Sequence, residues 1–168
     1  MSPKQVVECW FEFASTYSYV GVMRAPDAFR SAGLKVVWKP FLLGPKYRLP
    51  FRLPTVFPRN SLLATRVAIV ASDEPWGEDF IRRVFRANFA DDQEISDPKI
   101  IASVLDSCGV ATEPILARAA SDAVKARLRA QTDTAAALGI FGAPNFLVGR
   151  ELFFGQDRLE DAIAWALR

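Results

Sequence analysis

An α/β fold is expected, in which a block of helices interrupts a small sheet. Three observations predict it. A β-branched and aromatic run near the N-terminus is followed by a helical run and then a second strand-like run. From about Asn60 to Leu138 the apolar spacing and the capping residues are helical throughout. Two short apolar runs, split by Gly149-Arg150, then precede a last helix. The chain has 168 residues and is 51% hydrophobic, the length of about one domain with enough apolar surface for a core.

The elements follow in order. Gln5 to Phe13 is nearly continuous in β-branched and aromatic residues, which suits a strand buried on both faces. Tyr17 to about Ser31 carries Tyr19, Val22, Met23, Ala25 and Phe29 at helical spacing, with Ser15 as N-cap and Gly33 as C′ residue. Leu34 to Lys39 is a second strand, and a β-α-β order predicts that it runs parallel to the first. Prolines 40, 45, 50, 54 and 58 then impose an extended, irregular connection, because proline removes a donor and locks φ. Helices are expected from Asn60 or Ser61 to Ala71 and from Trp76 to Phe89. Asp97-Pro98 opens one that ends at Cys108 and Gly109, Thr112 caps a short one, and Ser121 caps one running to Leu138. Asn145 to Val148 and Glu151 to Phe154 form a hairpin around Gly149-Arg150, and Asp157 to Leu167 is the last helix. The outer parts read as a thioredoxin-like sheet in two pieces, residues 1–57 and 139–168. Residues 58–138 are an inserted helical domain, placed to roof a cleft at the strand ends.

Composition narrows the chemistry. The chain has no histidine, so Ser-His-Asp and Cys-His hydrolases and His-ligated metals are excluded, and no metal site is expected. A net charge of +2 gives no nucleic-acid footprint. The two cysteines, Cys9 and Cys108, form no C-x-x-C pair, so dithiol redox chemistry lacks its reagents. They read as reduced, buried thiols, with a single Cys9–Cys108 bridge as the alternative. No apolar run reaches the length of a membrane span, and a cytoplasmic protein is expected. Arg82, Arg83, Arg86, Lys125, Arg127 and Arg129 read as solvated helix faces.

Three groups of residues could carry chemistry. Ser15 stands at a strand-to-helix junction, where free N–H groups and the helix dipole favour negative charge. Ser15 and Ser18 hold the positions of the two cysteines in a thioredoxin-type enzyme. Ser15 is either a plain N-cap or a donor to the thiolate of another molecule, whose pKa it would lower. Pro144 opens a strand, so Ala143–Pro144 is either a cis bond or an ordinary trans turn. In the cis form Ala143 would present a short edge for β-type pairing. Gln156 and Asp157 stand at a helix start, either as a capped surface turn or as a grip on an amino-acid zwitterion.

Taken together, these groups resemble the 2-hydroxychromene-2-carboxylate isomerase family, a DsbA-like branch of the thioredoxin fold close to the kappa-class glutathione transferases. Phe11-Glu-Phe-Ala-Ser-Thr-Tyr-Ser-Tyr19 is similar to F-D-F-x-S-P-[FY]-S-Y. Gly139-Ile-Phe-Gly-Ala-Pro144 and Glu151-Leu-Phe-Phe-Gly-Gln-Asp-Arg-Leu159 resemble G-V-F-G-V-P and E-L-F-W-G-Q-D-R-L. The resemblance implies glutathione as cofactor. Ser15 would hold its sulfur as thiolate, Ala143 before cis Pro144 would pair with its cysteinyl backbone, and Gln156, Asp157 and Arg158 would hold its γ-glutamyl end. It also implies a small aromatic substrate, cis-trans isomerisation by reversible thiolate addition, and a homodimer. Thr16 departs from the family's proline, and the segment after Leu43-Gly44 is much shorter, with Lys46, Arg48 and Arg52 as its basic residues. A kappa-like transferase and a non-catalytic thioredoxin-fold binding protein are the alternatives.

Overall fold

A computed structural model of the chain describes residues 6–42 and 58–168. Strand β1 (Val6–Phe11), helix α1 (Thr16–Ser31) and strand β2 (Lys35–Pro40) come first. Helices α2 (Leu62–Ala71), α3 (Gly77–Phe89), α4 (Pro98–Ser107), α5 (Thr112–Ala120) and α6 (Asp122–Ala137) follow. Strands β3 (Asn145–Val148) and β4 (Glu151–Phe154), a 3-10 turn (Gln156–Arg158) and α7 (Leu159–Ala166) complete the order. The expected order of elements is therefore the observed one. Most of the proline-rich connection, with Gly44, Lys46, Arg48 and Arg52, lies outside the described residues.

Among the described residues the strands form one sheet in the order β2-β1-β3-β4. β1 and β2 are parallel, with Val6 opposite Lys35 and Phe11 opposite Pro40. β3 runs antiparallel to β1, and β4 antiparallel to β3. Gly149, at φ +63°, makes the two-residue turn between them, a conformation that favours glycine. β1 is central, which explains its unbroken apolar character: Val7, Cys9 and Phe11 face one layer and Trp10 the other.

The larger core contains Val7, Phe11 and Phe146 of the sheet, Val22 and Phe29 of α1, and Phe80, Ile81 and Phe85 of α3. The helical block and the sheet thus share one core. A smaller cluster, with Trp10, Phe41, Ala135, Ile140, Ala143 and Leu147, fills the opposite face under the end of α6.

Local sequence sets the helix ends. Ser15 caps α1, its hydroxyl accepting from Ser18 N at 3.2 Å, and Asp97 caps α4 by accepting from Lys99 N at 2.8 Å. Thr112 is not a cap. It is the first residue of α5, and its hydroxyl bonds Asp106 at 2.5 Å instead. The last helix is split, because the turn at Gln156–Arg158 is 3-10 and the α-helix begins at Leu159. α1 contains Pro26, which the apolar spacing gave no reason to single out.

The basic helix faces are largely paired at the surface, as Arg83 with Asp79, Lys125 with Asp122 and Arg127 with Asp73. Both cysteines are free. Burial pushes the Cys9 thiol far above its ordinary value. Burial, helped by the neighbouring Asp79 carboxylate, pushes Cys108 up to about 11. A raised pKa keeps a thiol protonated, so only roughly one Cys108 in a thousand is thiolate at pH 8. Titrating the folded protein with a disulfide reagent should therefore show almost no reaction at pH 8. Cys108 should react faster as pH climbs, and both thiols should react in denaturant. Rapid reaction of one equivalent at pH 7 would contradict this. Among the described residues no helix is long and apolar enough to cross a membrane, and no cluster of metal-ligating side chains occurs.

Candidate active site

β1, β3, β4 and α1 bring the first two groups of candidate residues into contact. Beyond Phe11 the chain turns through residues 12–15 into α1, and Ser15 N donates to Glu12 O at 3.1 Å to close that turn. The Ser15 hydroxyl donates to Ala143 O at 3.1 Å while accepting from Ser18 N. Its one proton and one of its lone pairs are thus both assigned. Ala143–Pro144 is a cis peptide. Gly155 N donates to Pro144 O at 3.0 Å, and Asn145 Nδ2 donates to Gly142 O at 2.6 Å, so the loop is held from both sides.

Pro144 packs directly on α1 at Gly21, where an added Cβ would lie 2.8 Å from Pro144 Cγ and 3.5 Å from Gln156 Cβ. Alanine normally gains about 1 kcal/mol over glycine inside a helix. Here the neighbour is a rigid ring, and overpacking costs about 1–3 kcal/mol. Gly21→Ala should therefore lower the melting temperature by a few degrees. A rise in melting temperature would show that the Pro144 loop yields.

The third group lies beside this contact, one element further along. Gln156 is half-buried, and Arg24 of α1 donates to its Oε1 at 2.7 Å and to its backbone O at 3.4 Å. Arg24 also pairs with Glu160. The carboxylate of Asp157 is exposed and has no ion-pair partner among the described residues. Gly155, at φ +106°, allows it to fold back: a Cβ there would sit 2.4 Å from Asp157 Oδ1. Arg158 is turned to Asp161 on α7, at 2.8 Å.

Sequence reasoning missed three contributors. Arg24 orients Gln156 across 132 residues. Glu12 is 4% exposed, and its Oε1 accepts from Ser61 Oγ at 2.5 Å and from Ala14 N at 3.2 Å. Asn88 of α3 is 5% exposed and donates to Phe13 O at 3.0 Å. The signals were present: a carboxylate inside an apolar strand run, and an amide on the apolar face of α3, where Phe80, Ile81, Val84 and Phe85 recur.

The arrangement places a serine hydroxyl at a helix N-terminus, bonded to the backbone of Ala143, and an exposed carboxylate at Asp157. It has no cysteine of its own at the Ser15–Ser18 turn.

Comparison with known proteins gives a consistent outcome. Residues 6–164 match the family described as the DSBA-like thioredoxin domain. The 2-hydroxychromene-2-carboxylate isomerase of Sphingobium xenophagum is 20% identical, with 93% of this chain and 95% of that protein covered. The aligned length is 187, longer than this chain, so that relative carries residues with no counterpart here. A solved 2-hydroxychromene-2-carboxylate isomerase superposes with a TM-score of 0.82 at 21% identity, covering 97% of this chain and 96% of that one. The cytosolic disulfide reductase DsbM of Pseudomonas aeruginosa, solved with GSH, gives a TM-score of 0.70 at 15% identity, covering 95% and 96%. At these identities the superpositions establish the fold alone.

Proposed function

The chain belongs to the DSBA-like thioredoxin family, and from that premise we propose that it is a glutathione-dependent isomerase of the 2-hydroxychromene-2-carboxylate isomerase type, acting on a small conjugated aromatic compound. One observation carries the reading. Ser15 Oγ stands at the N-terminus of α1, 3.1 Å from the carbonyl that precedes cis Pro144, where a dithiol enzyme of this fold would keep its own sulfur. Support also comes from the similarity to a named isomerase and from a protein of the same fold that was solved with GSH. A cytoplasmic setting belongs to the same reading, because thiols stay reduced there.

The residues present fit glutathione. Bound there, it would supply a thiolate for reversible addition to a conjugated double bond, which permits rotation before elimination. The protein's part is to bind, orient and stabilise. The Ala143 carbonyl can accept an amide N–H in place of the Ser15 hydroxyl, which releases the Ser15 proton toward the sulfur. Ser15 and the N-terminus of α1 then favour the anion. Asp157 would face the γ-glutamyl ammonium, and Gln156, held by Arg24, would sit beside it. Arg158 would first have to leave Asp161 to take part.

Calorimetric titration with glutathione, followed by product analysis on 2-hydroxychromene-2-carboxylate, tests the proposal. Saturable heat and isomerisation without glutathione consumption are expected. One glutathione consumed per turnover would make the protein a kappa-like transferase. No heat at millimolar glutathione would leave a binding protein without this cofactor.

A further inference from the structure

We infer that Asn88, in the helical block, is a positioning residue for Ser15, held to that task by Arg59. The inference deepens the proposed function and rests on it for its kinetic consequence. Its structural half concerns the chain without ligand.

The argument starts from one peptide plane. β1 ends at Phe11, and its pairing with β3 ends at Trp10, so the Phe13–Ala14 peptide lies beyond the ladder. Phe13 is fully buried, and a buried backbone carbonyl without a partner costs about 1–3 kcal/mol. The partner comes from 75 residues away, as Asn88 Nδ2 donates to Phe13 O at 3.0 Å. The other end of the same peptide is also bound, since Ala14 N donates to Glu12 Oε1 at 3.2 Å. Glu12 is steadied in turn by Ser61. The Phe13–Ala14 plane, one peptide before the one that leads into Ser15, is therefore pinned at its carbonyl and at its N–H by side chains from outside the sheet's own ladder.

Arg59 fixes which way the Asn88 amide points. Arg59 Nη1 donates to Asn88 Oδ1 at 3.0 Å and to Asn88 O at 2.9 Å. The guanidinium is anchored further by Asp92 and by Glu94, the latter at 3.6 Å. A flipped amide would set NH2 against the cation and oxygen against the Phe13 carbonyl, so the donor must face Phe13. Ser15, two residues on, has to keep its hydroxyl within reach of Ala143. Rotation of the Phe13–Ala14 peptide would carry it away.

Asn88→Asp separates this role from a merely structural one. It keeps the acceptor for Arg59 and strengthens that pair, but it has no N–H for Phe13 and opposes two oxygens. Amide hydrogen exchange on the ligand-free, full-length protein should show Ala14, Ser15 and Ser18 exchanging about tenfold faster or more, with the β1–β2 ladder unchanged. The kcat should fall about tenfold or more with KM nearly constant, since positioning is felt in the transition state. Arg59→Lys, which cannot bond both Asn88 oxygens in the same way, should show the same pattern more weakly, and it serves if the first variant does not fold. Wild-type exchange at those three amides in the variants would overturn the inference, whatever the melting temperature does. The exchange readout needs no glutathione, so failure of wild-type glutathione binding would sink the proposed function while leaving the Asn88 result to stand or fall alone.

Discussion

Replacing Ser15 with alanine is expected to slow turnover by about a hundredfold, in the range seen when one donor to a developing anion is removed. The same substitution should lower stability by only about 1 kcal/mol, the usual cost of losing an N-cap hydroxyl. The mismatch between the two effects is the diagnostic. On the proposed function, a donor to the thiolate favours the charged form and should hold the bound thiol below its ordinary pKa of about 8.5. Without it the pKa rises, and the ascending limb of kcat/KM moves to higher pH. The deficit should narrow as pH increases, because above both pKa values the sulfur is ionised in either protein. A deficit constant across pH would assign Ser15 to orientation alone, and unchanged kinetics would reduce it to a cap. Ser15→Asp sharpens the comparison. Aspartate caps a helix about as well as serine, so stability should be kept. Its carboxylate cannot donate and repels a thiolate, so its rate should fall below that of alanine. Ser15→Thr keeps both donor and cap and should remain active.

What the sequence revealed and what it hid divide along one physical line. Ser15, Gly33, Asp97, Ser121 and Gly149 act through the backbone within a few residues, and their placement was legible from local chemistry. The cis Ala143–Pro144 bond was one of two readings, because a proline opening a strand constrains its own peptide but does not decide it. Thr112 misled because its hydroxyl found a better partner in Asp106 of the preceding helix. Of the two candidate caps of α2, Asn60 is the one that acts, its Oδ1 accepting from Leu62 N, while the Ser61 hydroxyl serves Glu12. Arg24, Glu12 and Asn88 remained hidden because their partners lie 49 to 132 residues away. Period and capping rules describe neighbours along the chain, not across it. Those rules do mark such residues indirectly, as polar groups on faces that should be apolar, and a buried polar group requires a partner.

Phe85→Ala carries the largest expected loss of stability, about 3–5 kcal/mol. Phe85 is fully buried on α3 and touches rings from the strand, the turn and α1. Its centroid lies 5.0 Å from Phe13, 5.9 Å from Phe11, 6.3 Å from Tyr19 and 6.2 Å from Phe89. Removing it opens a cavity where the helical block meets the end of β1, and the surrounding rings cannot all move to fill it. Against a total of about 5–15 kcal/mol for a domain, that is a large share. The midpoint of urea unfolding should fall sharply at unchanged slope, while Phe85→Leu, which keeps most of the volume, should lose much less. On the proposed function, activity should fall by a second route, because Phe13 is the residue whose carbonyl Asn88 holds, two positions before Ser15. A double-mutant cycle between Phe85→Ala and Phe13→Leu measures the contact directly. Edge and tilted ring pairs couple by about 0.5–1.5 kcal/mol, so the double variant should lose less than the sum of the two. Strict additivity would mean that the Phe13–Phe85 ring contact does not hold the Ser15 turn, and more of that burden would pass to Asn88 and Ser61.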